Sequence, residues 1–289
     1  MIYFCADDYG LSTSASSRIQ QCIEKGALGK VSVFLNFDKI DLNEIKKNKD
    51  IRAALHLNLV EGKCLSQSDE IYLLADEKGN LIHDFIGLLK ISLIHPKELE
   101  LQAYKEIRAQ VSLWKSMLPK DEPVCIDAHQ HVHMIPPVFR ALIKVLQDEE
   151  IALTHMRIPA EPIMPYIMTP SLYLTYRPTN LIKQWLLKFL WCFNKKEARK
   201  HKIPTPHFFG ILFSGKMDEK RVSKVLPKYI KLAEKDGKDI EVLFHPGAMN
   251  QCEVDCKEKN IVFNKFYLSP NRQTEFDSVI KISERRVQK

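Results

Sequence analysis

Short runs of β-branched and aromatic residues alternate with longer helix-patterned stretches along the whole chain, and this rhythm limits the fold more than any other feature. The strand candidates are Ile2–Ala6, Val31–Asn36, Arg52–Leu59, Val124–Ala128, Leu153–Ile158, His207–Phe213 and Ile240–His245. Between and after them lie helical patterns over Ser12–Lys25, Leu42–Lys49, Glu98–Met117, Pro136–Asp148, Leu181–Lys200, Asp218–Lys235 and Arg272–Glu284. Strand followed by helix, repeated, predicts an α/β fold with a parallel sheet of about seven strands. Near-continuous apolar runs such as VSVFL and EVLF suit strands covered on both faces. The 289 residues are expected to form one domain, 1–289, with 59–96 and 159–180 as excursions over the barrel mouth.

The unusual polar residues fall at the ends of these strands. Asp7 and Asp8 close the first, Asn36 the second, and His56 and Asn58 lie in the third. Asp127, His129, His131 and His133 follow the fourth, Arg157 ends the fifth and His245 the seventh. In a parallel α/β barrel all strand C-termini open on one face, so residues dispersed in sequence converge on one rim. Two adjacent carboxylates at a buried strand end repel each other unless a cation compensates them. One carboxylate and two imidazoles make an open metal site, and the simplest ligand set is Asp8, His56 and His129. If the DAHQHVH run stays extended, His129, His131 and His133 point the same way. Asp7 is then free as a general base towards an activated water, and His245 as an acid towards a leaving group. Asn58, His131, His133 and Arg157 are the expected substrate contacts.

Read in order, ADDYG, LHLNLVEG, DAHQHVHMIP and FHPG resemble the YdjC-like carbohydrate deacetylases, including the chitooligosaccharide deacetylases. The similarity runs from Ile2 to about Ile282, and MRIPAEP with HFFGILFSGKMD is similar to the hopanoid-biosynthesis branch. The resemblance implies a distorted TIM-like (β/α) barrel with its active site at the strand C-terminal rim. It also implies a divalent metal, usually magnesium, and hydrolysis of acetyl groups from N-acetylated sugars. Carried over by position, Asp8, His56 and His129 are the family's ligands, Asp7 its base and His245 its acid. The two imidazoles by themselves suit zinc, and manganese or cobalt are alternatives to magnesium. Tyr9 stands where Phe is common, and Ala128 and Gln130 where Ser and His are frequent.

Composition narrows the partners. The net charge of +7 lacks the basic and aromatic clustering of a nucleic-acid binder, so none is expected. The seven cysteines include no CxxC pair, Cys252 and Cys256 being the nearest, and the start of the chain has no basic region or cleavage pattern. A cytoplasmic protein with reduced thiols is the expectation. LIKQWLLKFLWCF, within the basic segment 181–202, reads either as a barrel helix or as an amphipathic helix making peripheral membrane contact. A homodimer stays open. The rival readings are a non-haem iron oxygenase, disfavoured by the parallel pattern, and a non-catalytic sugar or partner binder, disfavoured because Asp7 and His245 are both present.

Overall fold

The computed structural model describes residues 1–37, 40, 42–48, 50–119, 122–253 and 261–287. The strands are β1 (Ile2–Tyr9), β2 (Lys30–Val33), β3 (Arg52–Leu57), β4 (Val124–Ala128), β5 (Leu153–Met156), β6 (His207–Phe209) and β7 (Ile240–Phe244). The helices are α1 (Thr13–Glu24), α2 (Leu42–Lys46), α3 (Phe85–Ile94), α4 (Pro96–Ser116), α5 (Pro136–Asp148), α6 (Met164–Ile167), α7 (Pro178–Lys200), α8 (Glu219–Asp236), α9 (Ile261–Tyr267) and α10 (Asn271–Val287). The expected helix end at Lys49 and the cysteine at Cys256 lie outside the described residues.

Among the described residues, the strands form one seven-stranded sheet in the order β5-β4-β3-β2-β1-β7-β6. Every pair is parallel. The sheet curls into a half-barrel, and among the described residues no ladder joins β5 to β6. A backbone bond from Met156 N–H to the Pro204 carbonyl, 2.8 Å, spans that gap instead. Closure therefore falls short of a full barrel, while all seven strand C-termini still meet on one rim.

The helices cover the outside, and their buried apolar residues form one core with the strands. Helix starts follow local chemistry. Ser12 caps α1 and Asp218 caps α8 through side chains that accept from Ala15 N–H and Arg221 N–H. Proline opens α4, α5 and α7, where its missing N–H costs nothing. This is why α4 and α7 begin at Pro96 and Pro178, before the expected Glu98 and Leu181.

Two buried side chains of α4 fix the 59–96 excursion. Glu106 accepts from Leu65 N–H at 3.1 Å and Ser66 N–H at 2.9 Å. Gln110 exchanges bonds with the backbone of Asn58, 3.0 and 2.6 Å. The excursion then returns to the rim as α3. Across the rim, the fully buried Glu161 accepts from Ile211 and Leu212 N–H at 2.7 and 3.1 Å, and also from Gly210 N–H. It fixes the loop after β6, whose strand stops at Phe209 rather than at Phe213.

Candidate active site

β1 breaks its regular pairing at the rim. Its register with β2 shifts between Ala6 and Tyr9. There Asp8 takes a φ of 73°, the left-handed region that costs a non-glycine residue about 1 kcal/mol or more. Strict alternation would send Asp7 and Asp8 to opposite faces. The bulge re-aims Asp8, so both carboxylates face one pocket.

Asp8 Oδ1 lies 3.2 Å from His129 Nδ1 and 3.4 Å from His56 Nε2. Its Oδ2 accepts a hydrogen bond from the Tyr267 hydroxyl of α9. The other nitrogen of His56, Nδ1, lies 2.6 Å from Asp127 Oδ1, so its proton belongs to that bond and Nε2 faces Asp8. The fully buried Phe34 ring stands edge-on to both imidazoles, 4.9 Å between centroids in each case. All three donor atoms lie within 4.8 Å of one another. Donors about 2.1 Å from a tetrahedral ion stand about 3.4 Å apart. The group thus fits a small divalent ion, with the carboxylate–imidazole pair Asp127–His56 as the outer support such ligands normally have.

Charge points the same way. Beneath this group Lys30 Nζ bonds Asp127 at 2.8 Å and Glu241 at 3.0 Å. Arg157 bonds Glu241 through Nε at 2.5 Å and grips both oxygens of Asp7, at 2.6 and 2.8 Å. Asp7, Asp8, Asp127 and Glu241 are all buried, and among the described residues Lys30 and Arg157 are the permanent cations paired with them. Two negative charges remain, which protons or a divalent cation must offset. The carboxylates favour a proton on His56. Burial lowers the His56 pKa, but Asp7 and the bonds to Asp127 and Asp8 outweigh it and raise it to about 10. Burial also disfavours the charged form of Asp8, yet the His129 and His56 bonds hold it well below the usual carboxylate range. Cys5, Asp127 and Glu241 converge as well, but Lys30 and Arg157 already serve them.

Above the acids opens a cavity of about 580 Å³, within the range of small-ligand sites. Phe85 and Ile86 of α3 and Ile182 and Leu186 of α7 form an apolar wall; His245 and Lys183 are also in its lining. His245 Nδ1 is buried and lies 3.8 Å from Glu275 Oε2, beyond hydrogen-bond length. The His245 backbone is clamped by α10: its N–H donates to Glu275 at 2.7 Å and its carbonyl accepts from Arg272 at 2.9 Å. Desolvation lowers Lys183 to about 8, with Glu161 and Asp7 opposing.

The HxHxH run is not extended. β4 stops at Ala128, and His129–Met134 coils into a tight turn with Gln130 and His131 at φ 49° and 63°. The three imidazoles therefore diverge. His129 joins Asp8, and His131 lines the cavity against the Phe208 ring, 6.0 Å between centroids. His133 turns inward, its Nε2 2.8 Å from the Arg157 carbonyl. Of the four expected substrate contacts, His131 alone lines the cavity. Asn58, His133 and Arg157 are fully buried. Asn58 Oδ1 accepts from Val60 and Glu61 N–H, both at 3.0 Å, and so shapes the turn after β3. Arg157 is spent on the carboxylates.

Lys30, Glu241, Tyr267, Lys183 and Glu275 were absent from the sequence-derived site. Lys30 and Glu241 left a trace, as opposite charges within apolar strand runs. Tyr267 left none, because only the tertiary fold carries α9 to β1.

Residues 1–285 match the family described as YdjC-like protein. Proteins named carbohydrate deacetylase from Danio rerio and Mus musculus are 29% and 28% identical over 158 and 161 residues, 54% of this chain in both cases and 49% of each relative. The chain therefore spans about half the length of those curated relatives. A carbohydrate deacetylase from Clostridium beijerinckii is 24% identical over 191 residues, covering 64% of this chain and 73% of its own. The crystal structure of an Enterococcus faecalis protein described as a cellobiose-phosphate cleavage protein superposes with a TM-score of 0.63 at 14% identity. The match covers 98% of this chain and 94% of that one, and shows a shared fold.

Proposed function

The chain belongs to the YdjC-like protein family, and from there we propose that it is a metal-dependent hydrolase removing acetyl groups from N-acetylated amino sugars. The relatives named carbohydrate deacetylase support the substrate class. The observation that carries the reading is the convergence of Asp8, His56 and His129 beside Asp7 on the floor of the cavity.

Asp8, His56 and His129 would hold one divalent ion, which supplies Lewis acidity to an acetamide carbonyl and acidifies a water. Two imidazoles beside a single carboxylate suit zinc better than magnesium, the ion of the family resemblance. Asp7 is the proton acceptor for the attacking water. Arg157 holds both of its oxygens, so the carboxylate cannot rotate away from the cavity floor. The water oxygen adds to the acetamide carbon as the C=O π pair moves onto oxygen; when that pair re-forms the C=O, the C–N bond breaks and His245 gives a proton to the departing amine. Clamping of the His245 backbone by Glu275 and Arg272 keeps that imidazole at the cavity wall. Acetate and a free amino sugar result. In this reading His131 and Lys183, both in the cavity lining, are sugar contacts.

The test is acetate release from a panel of N-acetylglucosamine oligosaccharides and glycolipids, repeated with zinc, manganese, cobalt and magnesium after chelation. Release dependent on one of these ions supports the reading. Absence of acetate from every substrate with every ion overturns it.

A further inference from the structure

Helix α7 carries a buried face and, opposite it, an exposed apolar one. Gln184, Leu187, Leu190, Asn194 and Ala198 form its buried face. Ile182, Trp185, Phe189 and Phe193 recur at helical spacing on the opposite side, 68%, 64%, 58% and 59% exposed. A barrel helix ordinarily keeps that side polar. The stripe extends about 16 Å along the helix. At its upper end Ile182 also lines the cavity, as does Ile86 of α3, itself 48% exposed. The apolar surface is therefore continuous from the outside of α7 to the mouth of the site.

Cations edge this stripe. Lys188, Lys195, Lys196 and Arg199 lie on α7, whose one acidic residue is Glu197. Among the described residues none of those four forms an ion pair. Glu197 bonds Lys200 and His201 instead. Among the described residues no helix is long and apolar enough to cross a membrane. A two-fold contact between copies of this chain would set the same cations against themselves. An apolar stripe with an exposed tryptophan, bordered by unpaired lysines, matches the boundary of an anionic bilayer.

We propose that the outer face of α7, through Trp185, Phe189 and Phe193, docks on an anionic phospholipid surface and brings the catalytic cavity to a sugar carried there. This rests on the deacetylase reading for the reaction but not for the docking. Trp185, Phe189 and Phe193 are outside the cavity lining, so a variant at all three separates the two.

The full chain and Trp185→Ser/Phe189→Ser/Phe193→Ser are mixed with vesicles of phosphatidylcholine alone or with equimolar phosphatidylglycerol. Sedimentation and tryptophan emission are followed, as is acetate release from a soluble N-acetylated oligosaccharide and from an N-acetylglucosaminyl lipid in the vesicles. The wild type should sediment with anionic vesicles, less so in high salt, and show a blue shift. The variant should lose at least about tenfold in binding and in release from the vesicle-borne lipid. It should keep its rate on the soluble oligosaccharide. Wild type that ignores anionic vesicles overturns the proposal, as does a variant that binds them equally. So does a dimer in solution that the triple substitution dissolves. Vesicle binding with no acetate from either substrate leaves the docking standing and overturns the deacetylase reading.

Discussion

Asp127 Oδ1 lies 2.6 Å from His56 Nδ1, across the β3–β4 pair in which these residues are direct neighbours. The bond fixes the imidazole so that Nε2 meets Asp8, and it ties the Asp8–His56–His129 group to the ionic layer below through Lys30 and Arg157. Asp127 stands outside the proposed ligand set of Asp8, His56 and His129. Asp127→Asn should therefore leave the ligand set intact yet weaken metal affinity by about 10–100-fold, the usual scale for an outer support. A competition titration with a chelating dye measures this, and unchanged affinity would remove Asp127 from the account.

Asp7 and Asp8 are neighbours with different partners, one held by Arg157 and one facing two imidazoles. Asp7→Asn should keep the metal and lose about 100-fold or more in kcat, as expected for removal of a general base. Asp8→Asn should lose the metal. Equal metal loss in the two variants, read by elemental analysis, would contradict the division of labour.

His133 gives the protein an acid-sensitive point. Its Nε2 must donate to the Arg157 carbonyl, which leaves Nδ1 buried and without a partner. Burial depresses its pKa from 6.5 to about 4, with the Arg157 carbonyl bond opposing. The unfolded chain therefore binds more protons between these values. The stabilising contribution is full above pH 6.5 and is lost as the pH falls through about 4, a loss of about 3 kcal/mol. In His133→Gln the neutral amide should flatten that part of the curve. Urea midpoints of both proteins at several pH values in that window give the difference, and parallel curves would refute the assignment.

Much of the fold could be read from the chain because strand and helix patterns are local. Asp8, His56 and His129 stood out because isolated polar residues ended apolar runs. Two things were not local. The turn at Gln130 and His131 hid the divergence of the three histidines, since a period-two pattern says nothing of a left-handed φ. Arg157 looked available to substrate because its partners Asp7, Asp127 and Glu241 come from three other strands. Only the curl of the sheet brings those carboxylates around it, and Tyr267 reaches Asp8 from a helix distant in sequence.

An alkyl amine leaves slowly unless it is protonated, so His245 should matter in proportion to the leaving group. His245→Ala should lower kcat about 100-fold or more on an N-acetyl sugar. An activated acetyl ester, whose leaving group needs no proton, should lose far less. Equal losses on both would make His245 a contact or a structural residue.

In the proposed reaction one divalent ion on Asp8, His56 and His129 makes the site hydrolytic. The most direct test of this is acetate release from an N-acetylglucosamine substrate as the ion is titrated back into chelated protein, for wild type and for His56→Ala. The chelated wild type should release none, release should saturate at one ion per chain, and His56→Ala should stay inactive at that stoichiometry. Release that survives chelation, or full recovery by His56→Ala at one ion per chain, would contradict it.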